Sequence, residues 1–190
     1  MRLSLSFLLA LQLLSLQDVL AIWPAPTSIS SGTQTLLLSH NFGIVLDLPS
    51  PPQDLKDAIE RTKDNLFADS LGRLVIGRGS SDSPSFDSAQ TLHTLRLSLT
   101  STAIKSISEE AIAPLDIRNE TYSLIVPANG RDATLTAPTT LGLLRGLTTF
   151  EQLWYTYAGR VYAINGPLSV YDAPAYVSQL FPLDCRHMLM

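Results

Sequence analysis

Three histidines, one cysteine and seventeen acidic residues are the side chains through which this chain could do metal, nucleophilic or acid–base chemistry. Their spacing assembles none of it. His40, His93 and His187 are isolated, and none stands in the His-Glu-x-x-His arrangement that puts two imidazoles on one helical face for zinc. No metal site and no cofactor is expected. Glu109-Glu110 is the only adjacent acidic pair, but consecutive helical residues point about 100° apart, so it reads as a solvated charge pair. Asp172 and Asp184 flank Pro174 and could converge, yet nothing around them in sequence supplies a pocket. Cys185 lacks a Cys-x-x-Cys partner and reads as a buried thiol rather than a nucleophile. Neither a Gly-x-Ser-x-Gly elbow nor a Gly-rich phosphate loop occurs. Residue chemistry alone therefore names no catalytic residue.

The informative stretch is a helix expected from about Thr139-Thr140 to Tyr157. Leu143, Leu147, Phe150 and Trp154 form an apolar stripe on it at helical spacing. Gly142 and Gly146 stand four apart on one face. Mid-helix glycine costs up to ~1 kcal/mol relative to alanine, so two of them call for close approach by a neighbouring element. Arg145 lies between them, with a surface ion pair as its default role.

Other elements must position this helix. Thr35–Ser39 and Phe42–Leu48 read as short strands split by His40-Asn41, and the Pro49-Ser50-Pro51-Pro52 run then breaks the chain. Leu55, Ile59, Thr62 and Leu66 recur at near-helical spacing after Pro52, with Gly72 as a stop. Gly77–Ser88 reads as an exposed loop. Leu92, Leu95, Leu97 and Leu99 suggest a half-buried strand, and Tyr122–Val126 and Ala133–Ala137 form a hairpin signalled by Asn129-Gly130. Val161–Ile164 and Leu168–Tyr171 are short strands around Asn165-Gly166-Pro167. Helices do not alternate regularly with strands, so an α+β fold is expected, a mainly antiparallel sheet with two helices packed on one face.

The N-terminal segment reads as an address. Arg2 precedes an apolar run ending at Leu16, and a signal-peptide core is typically ~7–15 residues. Val19-Leu20-Ala21 supplies the small residues at −3 and −1 for cleavage after Ala21. Residues 1–21 are thus expected to be a signal peptide, and no later apolar run approaches the ~20 residues of a membrane span. The product would be secreted or luminal, and Asn119-Glu120-Thr121 fits that compartment as a glycosylation sequon. Three lysines and ten arginines against seventeen acids give a net charge of −4, without the cationic field that attracts nucleic acid. A chain of 190 residues is too short for a (β/α)₈ barrel, typically ~250 residues, beside another domain.

From Thr139 to Leu153 the wording Thr-x-x-Gly-x-Leu-Arg-Gly-Leu-x-Thr-Phe-x-Gln-Leu closely resembles the N-terminal domain of β-N-acetylhexosaminidases, glycoside hydrolase family 20. Trp23-Pro24-x-Pro26 is similar to the family's opening strand, and Glu120-Thr121-Tyr122-Ser123-Leu124 to its Glu-x-Tyr-x-Leu strand. Gly159-x-Val161-Tyr162 and Asp172-Ala173-Pro174-Ala175-Tyr176 resemble the segment leading to the catalytic barrel. The wording is nearest to the fungal branch.

The resemblance implies a zincin-like, zinc-free domain over residues 22–174 that buttresses a barrel. Gly142, Arg145, Gly146, Phe150 and Gln152 are its structural motif residues. Residues 175–190 would be a remnant of the linker and first barrel strand. The family removes terminal N-acetylglucosamine or N-acetylgalactosamine from glycosides with an Asp-Glu pair on the barrel, by substrate-assisted chemistry. No Asp-Glu dipeptide occurs here, and Gln179 stands where the family has its substrate-binding arginine. The expectation is a truncated, catalytically inactive supporting domain, its barrel-facing surface exposed for association. The alternative is a non-catalytic secreted module that binds a full-length hexosaminidase or a glycan.

Overall fold

A computed structural model describes residues 22–68 and 78–174. The chain runs β1 (Ser28–Leu46), α1 (Gln53–Phe67), a 3₁₀ turn (Ser83–Ser88), β2 (Gln90–Leu99), α2 (Ile107–Ala111), β3 (Tyr122–Val126), β4 (Ala133–Ala137), α3 (Thr140–Gln152), β5 (Tyr155–Tyr157) and β6 (Arg160–Asp172). The strands form one six-stranded sheet in the order β1-β2-β4-β3-β6-β5, with β1 also pairing β6. The β1–β2 and β2–β4 pairs are parallel; β1–β6, β3–β4, β3–β6 and β5–β6 are antiparallel. The fold is thus α+β, a mixed, mostly antiparallel sheet with two main helices, as the pattern of elements predicts.

Helix α1 begins after Pro52 and buries Leu55, Ala58, Ile59, Thr62 and Leu66. Helix α3 lies beside it. Thr62 Oγ1 donates to Glu151 Oε1 at 2.6 Å and Asn65 Nδ2 to Glu151 Oε2 at 3.3 Å, tying the two helices. Between helices and sheet sits the main core, with Leu95, Leu97, Leu124, Leu135, Leu143, Leu147 and Phe150 all fully buried. Phe150 stacks on Phe42 at 5.7 Å and tilts against Trp154 at 5.5 Å. The leucine–phenylalanine–tryptophan stripe is this contact.

Several boundaries differ from the sequence expectations. The two short strands before Pro49 are one strand, β1, whose pairing with β2 shifts register between Leu38 and Gly43. His40-Asn41 falls inside that bulge; local chain polarity marks an irregularity, not an end. Likewise Gly166-Pro167, joined by a cis peptide, sits within the continuous β6. Trp23–Pro26 is not a strand, since β1 starts at Ser28. Helix α3 stops at Gln152, and Tyr155–Tyr157 pairs with Tyr162–Arg160 as β5. Aromatic and β-branched residues favour a pleated surface, and here strand pairing outweighs helical periodicity.

Nor is the stretch before β2 merely an exposed loop. It forms the 3₁₀ turn and buries Phe86 against Tyr162 on the sheet's other face. Residues 1–21, with the Ala21 cleavage site, lie outside the described residues. So do Gly72 and residues 175–190, with Gln179, Asp184, Cys185 and His187.

Candidate functional site

A groove lined by several polar groups lies where α3, the start of β3 and the two ends of the described domain meet. Its position follows from how tightly α3 is set on the sheet. Thr139 caps the helix, its Oγ1 accepting from Gly142 N at 2.9 Å while donating to Asn119 O at 2.6 Å. That pair of bonds fixes the first turn against the residues preceding β3. A Cβ on Gly142 would fall on the Thr121 carbonyl oxygen and 3.0 Å from Ala137 Cβ; one on Gly146 would fall on the Leu135 side chain. Both glycines are therefore close-approach positions, as the sequence suggests.

With backbone and helix this near, Arg145 reaches Glu120. Its Nε donates to Glu120 Oε2 at 2.6 Å, and Arg118 Nη1 lies 4.0 Å from Glu120 Oε1. Glu120 is only 7% exposed and its Oε1 has no hydrogen-bond partner, whereas Arg145 is 43% exposed. The surface ion pair expected for Arg145 is thus anchored on a buried carboxylate. One turn further on, Thr149 Oγ1 and the Tyr122 hydroxyl are 2.6 Å apart. Burial pushes the Tyr122 phenol above its ordinary range, against the effect of that hydrogen bond.

Gln152 closes the groove. Its Oε1 accepts from Trp23 N at 2.7 Å and its Nε2 donates to Trp23 O at 2.9 Å, so one carboxamide grips both polar groups of one residue's backbone. The Trp23 side chain is left 82% exposed. At the other end of the described domain, Asp172 Oδ1 accepts from Thr27 N at 3.1 Å and Thr27 Oγ1 at 3.0 Å, and Thr27 Oγ1 accepts from Ala173 N at 3.1 Å. Trp23, Pro24, Glu120, Arg145, Asp172 and Pro174 are among the residues that line the resulting groove of about 530 Å³.

Two carboxylates in one groove invite comparison with an acid–base pair. Glu120, however, is held between two guanidinium groups, and Asp172 receives two donors from Thr27. Neither faces a cysteine or a histidine in the groove lining. Among the described residues no group of three His, Cys, Asp or Glu side chains comes together as a metal site.

The remaining sequence candidates have structural settings. Phe150 is core. Asn119 is exposed, and its Oδ1 accepts from Thr121 N at 3.0 Å in an Asx turn. His40 and His93 are exposed strand residues. Glu109 of the Glu109-Glu110 pair is exposed to solvent, and it also has a local structural role. Glu109 closes a capping box on α2, its Oε2 accepting from Ser106 N at 2.9 Å while Ser106 Oγ accepts from Glu109 N at 3.1 Å. Ser-x-x-Glu is a readable signature that points to this short helix.

A second polar cluster, on the sheet's other face, escaped the sequence reading. The fully buried Tyr162 donates to Asp82 Oδ2 at 2.8 Å and accepts from Gly79 N at 2.8 Å. Burial, then the Asp82 hydrogen bond, pushes its phenol well above the ordinary range. Arg78 Nη1 lies 3.3 Å from Asp82 Oδ1, and its guanidinium sits 5.9 Å from the Tyr155 ring centre. This cluster pins the chain before β2 to the sheet.

A mostly antiparallel sheet carrying helices on one face, with a groove whose carboxylates are engaged by neighbouring donors, defines an α+β domain. The beta-acetyl hexosaminidase like family matches residues 22–153, and the chain belongs to it, as an N-terminal-like domain of glycoside hydrolase family 20 hexosaminidases. Among solved structures, a Flavobacterium johnsoniae chitobiase matches 82% of this chain and 21% of its own, at 22% identity and TM-score 0.55. A Streptomyces plicatus N-acetyl-β-hexosaminidase matches 82% and 26%, at 18% identity and TM-score 0.48. A Vibrio harveyi exo-β-N-acetylglucosaminidase matches 82% and 19%, at 15% identity and TM-score 0.45. The chain therefore spans about a fifth to a quarter of the length of these proteins.

Proposed function

We propose that this chain is the supporting N-terminal domain of a secreted β-N-acetylhexosaminidase, and that by itself it hydrolyses nothing. The observation that carries this reading is the state of the family motif. Gly142, Arg145, Gly146, Phe150 and Gln152 each serve packing or positioning, and none presents a reacting atom. In the whole protein the chemistry belongs to a (β/α)₈ domain acting on terminal N-acetylglucosaminides or N-acetylgalactosaminides, with an Asp-Glu pair that these 190 residues do not contain.

The address reading belongs to the same proposal. Residues 1–21 act as a signal peptide cleaved after Ala21, the mature product starts at Ile22, and Asn119 carries a glycan in the secretory pathway. The exposed setting of Asn119 supports its modification. Residues 22–174 make up the supporting domain, and a fungal source rests on the wording of the helix motif.

The test is hydrolysis of a chromogenic N-acetylglucosaminide by the purified chain. No release above the uncatalysed rate is expected. Release that a hexosaminidase transition-state mimic abolishes would overturn the reading.

A further inference from the structure

We propose that the turn at Asn129-Gly130 is a modification site, at which the backbone of the folded chain attacks its own side chain and converts Asn129 to a mixture of aspartate and isoaspartate. The site does not depend on the chain's role as a supporting domain.

The chain holds two Asn-Gly pairs, Asn129-Gly130 and Asn165-Gly166, and the fold treats them oppositely. The reaction needs a solvated backbone nitrogen, a reachable amide carbon and a peptide free to turn one onto the other. Glycine suits the last requirement because it has no Cβ to resist the rotation. Asn129 and Gly130 are both exposed in the connection between β3 and β4. The Gly130 nitrogen donates no hydrogen bond among the described residues. A Cβ built on Gly130 would meet only Gln90 Oε1, at 3.6 Å, so the surroundings are open.

The Asn129 amide is also primed. Arg131 N donates to Asn129 Oδ1 at 3.2 Å. Such an Asx turn folds the side chain back along its own backbone, past the Gly130 nitrogen. A donor on that oxygen further supports the negative charge that develops there as the nitrogen adds to the carbon.

The second pair meets none of these conditions. Gly166 is buried and pairs with Gln34 across the β1–β6 ladder. A Cβ on Gly166 would lie 2.8 Å from Leu36 Cδ1 and 3.2 Å from Gln34 O, so this peptide has no room to rotate into attack.

The chemistry needs only water and hydroxide. Hydroxide takes the Gly130 amide proton, and the nitrogen adds to Asn129 Cγ. The new C–N bond closes a succinimide ring, the Cγ–Nδ2 bond breaks, and ammonia leaves with a proton from water. Water then opens the ring. Addition at Cγ restores the ordinary backbone with aspartate; addition at the Asn129 carbonyl carbon routes the backbone through the side chain as isoaspartate. Either product puts a new carboxylate in the connection whose Asp132 already holds Arg96, Nε to Oδ2 at 2.8 Å.

The experiment holds the full chain in mildly alkaline buffer and follows both pairs by peptide mass mapping and by methyl transfer from an isoaspartyl methyltransferase. Asn129 is expected to convert at least about tenfold faster than Asn165, since ~1.4 kcal/mol of local opening protects a strand site by that factor. In guanidinium chloride the two rates should converge, because only the fold separates them. Asn129→Gln, at an exposed position and with a larger ring to close, should abolish the fast methyl-accepting site. The comparison of the two pairs in the parent chain stands without any variant. An unchanged Asn129 in the folded chain, equal conversion of the two pairs, or methyl acceptance that persists in Asn129→Gln would overturn the proposal.

Discussion

Replacing Gly142 by alanine sets two opposing effects against each other, and the structure decides which wins. In an exposed helix interior the change would stabilise by ~1 kcal/mol. At this position the added carbon falls on the Thr121 carbonyl oxygen, with Ala137 Cβ 3.0 Å away. The obstacle is backbone, held where Thr139 Oγ1 bonds Asn119 O two residues earlier, so no side-chain rotation relieves it. Overpacking of this kind costs ~1–3 kcal/mol and occasionally more, which leaves a net loss of up to ~2 kcal/mol. For a chain of this size that lowers the melting temperature by up to roughly 8 °C.

Gly146→Ala meets a side chain instead, since its Cβ falls on Leu135, which is fully buried and must leave its rotamer. A rotamer strain of ~0.5–1.5 kcal/mol nearly cancels the helix gain. In a Leu135→Val background the obstruction is shortened, and Gly146→Ala should become stabilising by up to ~1 kcal/mol. Thermal and urea unfolding followed by circular dichroism reads the three single variants and the double variant against the parent. A Gly142→Ala protein that melts at or above the parent, or a Gly146→Ala effect indifferent to residue 135, would refute the close-approach argument.

Three further outcomes are expected. Glu120→Gln removes the charge beneath Arg145; because Arg145 is 43% exposed, the loss in urea unfolding should be ~1–2 kcal/mol, below the ~3–5 of a fully buried pair. On the acid side, hydrogen bonds from Ser106 hold the Glu109 carboxyl below its ordinary 4.5. For Asp54, burial raises the carboxyl, but bonds led by Ser108 outweigh it and hold it below 3.8. Depressed folded values give stability that is present above the ordinary ones and lost as pH falls through the folded ones. The acid-side fall in unfolding free energy should therefore be shallower in Asp54→Asn and Glu109→Gln, and an unchanged profile would count against this account. At the alkaline end Tyr162 works the other way. Burial and Asp82 push its phenol above the ordinary 10.0, so stability falls as pH rises past that value and the unfolded chain releases its proton first. Tyr162→Phe should cost ~1–2 kcal/mol at neutral pH and flatten the alkaline loss; identical alkaline curves would contradict the assignment.

The parts legible in the sequence are those set by nearest neighbours. The α1 periodicity, the Asn129-Gly130 hairpin and the α3 stripe all concern residues within a few positions of one another, and each appears in the fold. Boundaries failed where pairing with a distant strand overrode local signals. His40-Asn41 looks like a break because it is polar, yet β2 holds the chain extended on either side of it and β6 on the side before it. Tyr155–Tyr157 looks helical because the stripe runs on to Trp154, yet Tyr162–Arg160 claims it as a strand.

The groove shows the same division more sharply. Its motif letters can be read along α3, but their partners cannot. Gln152 grips a residue 129 positions away, Asp172 one 145 positions away, and Arg145 a carboxylate 25 positions away. A motif of this kind marks where the chain must satisfy contacts that sequence spacing does not encode. Gly142, Arg145, Gly146 and Gln152 therefore act as one device: two missing side chains let α3 approach β3 and β4, and the approach brings Arg145 onto Glu120 and Gln152 onto Trp23.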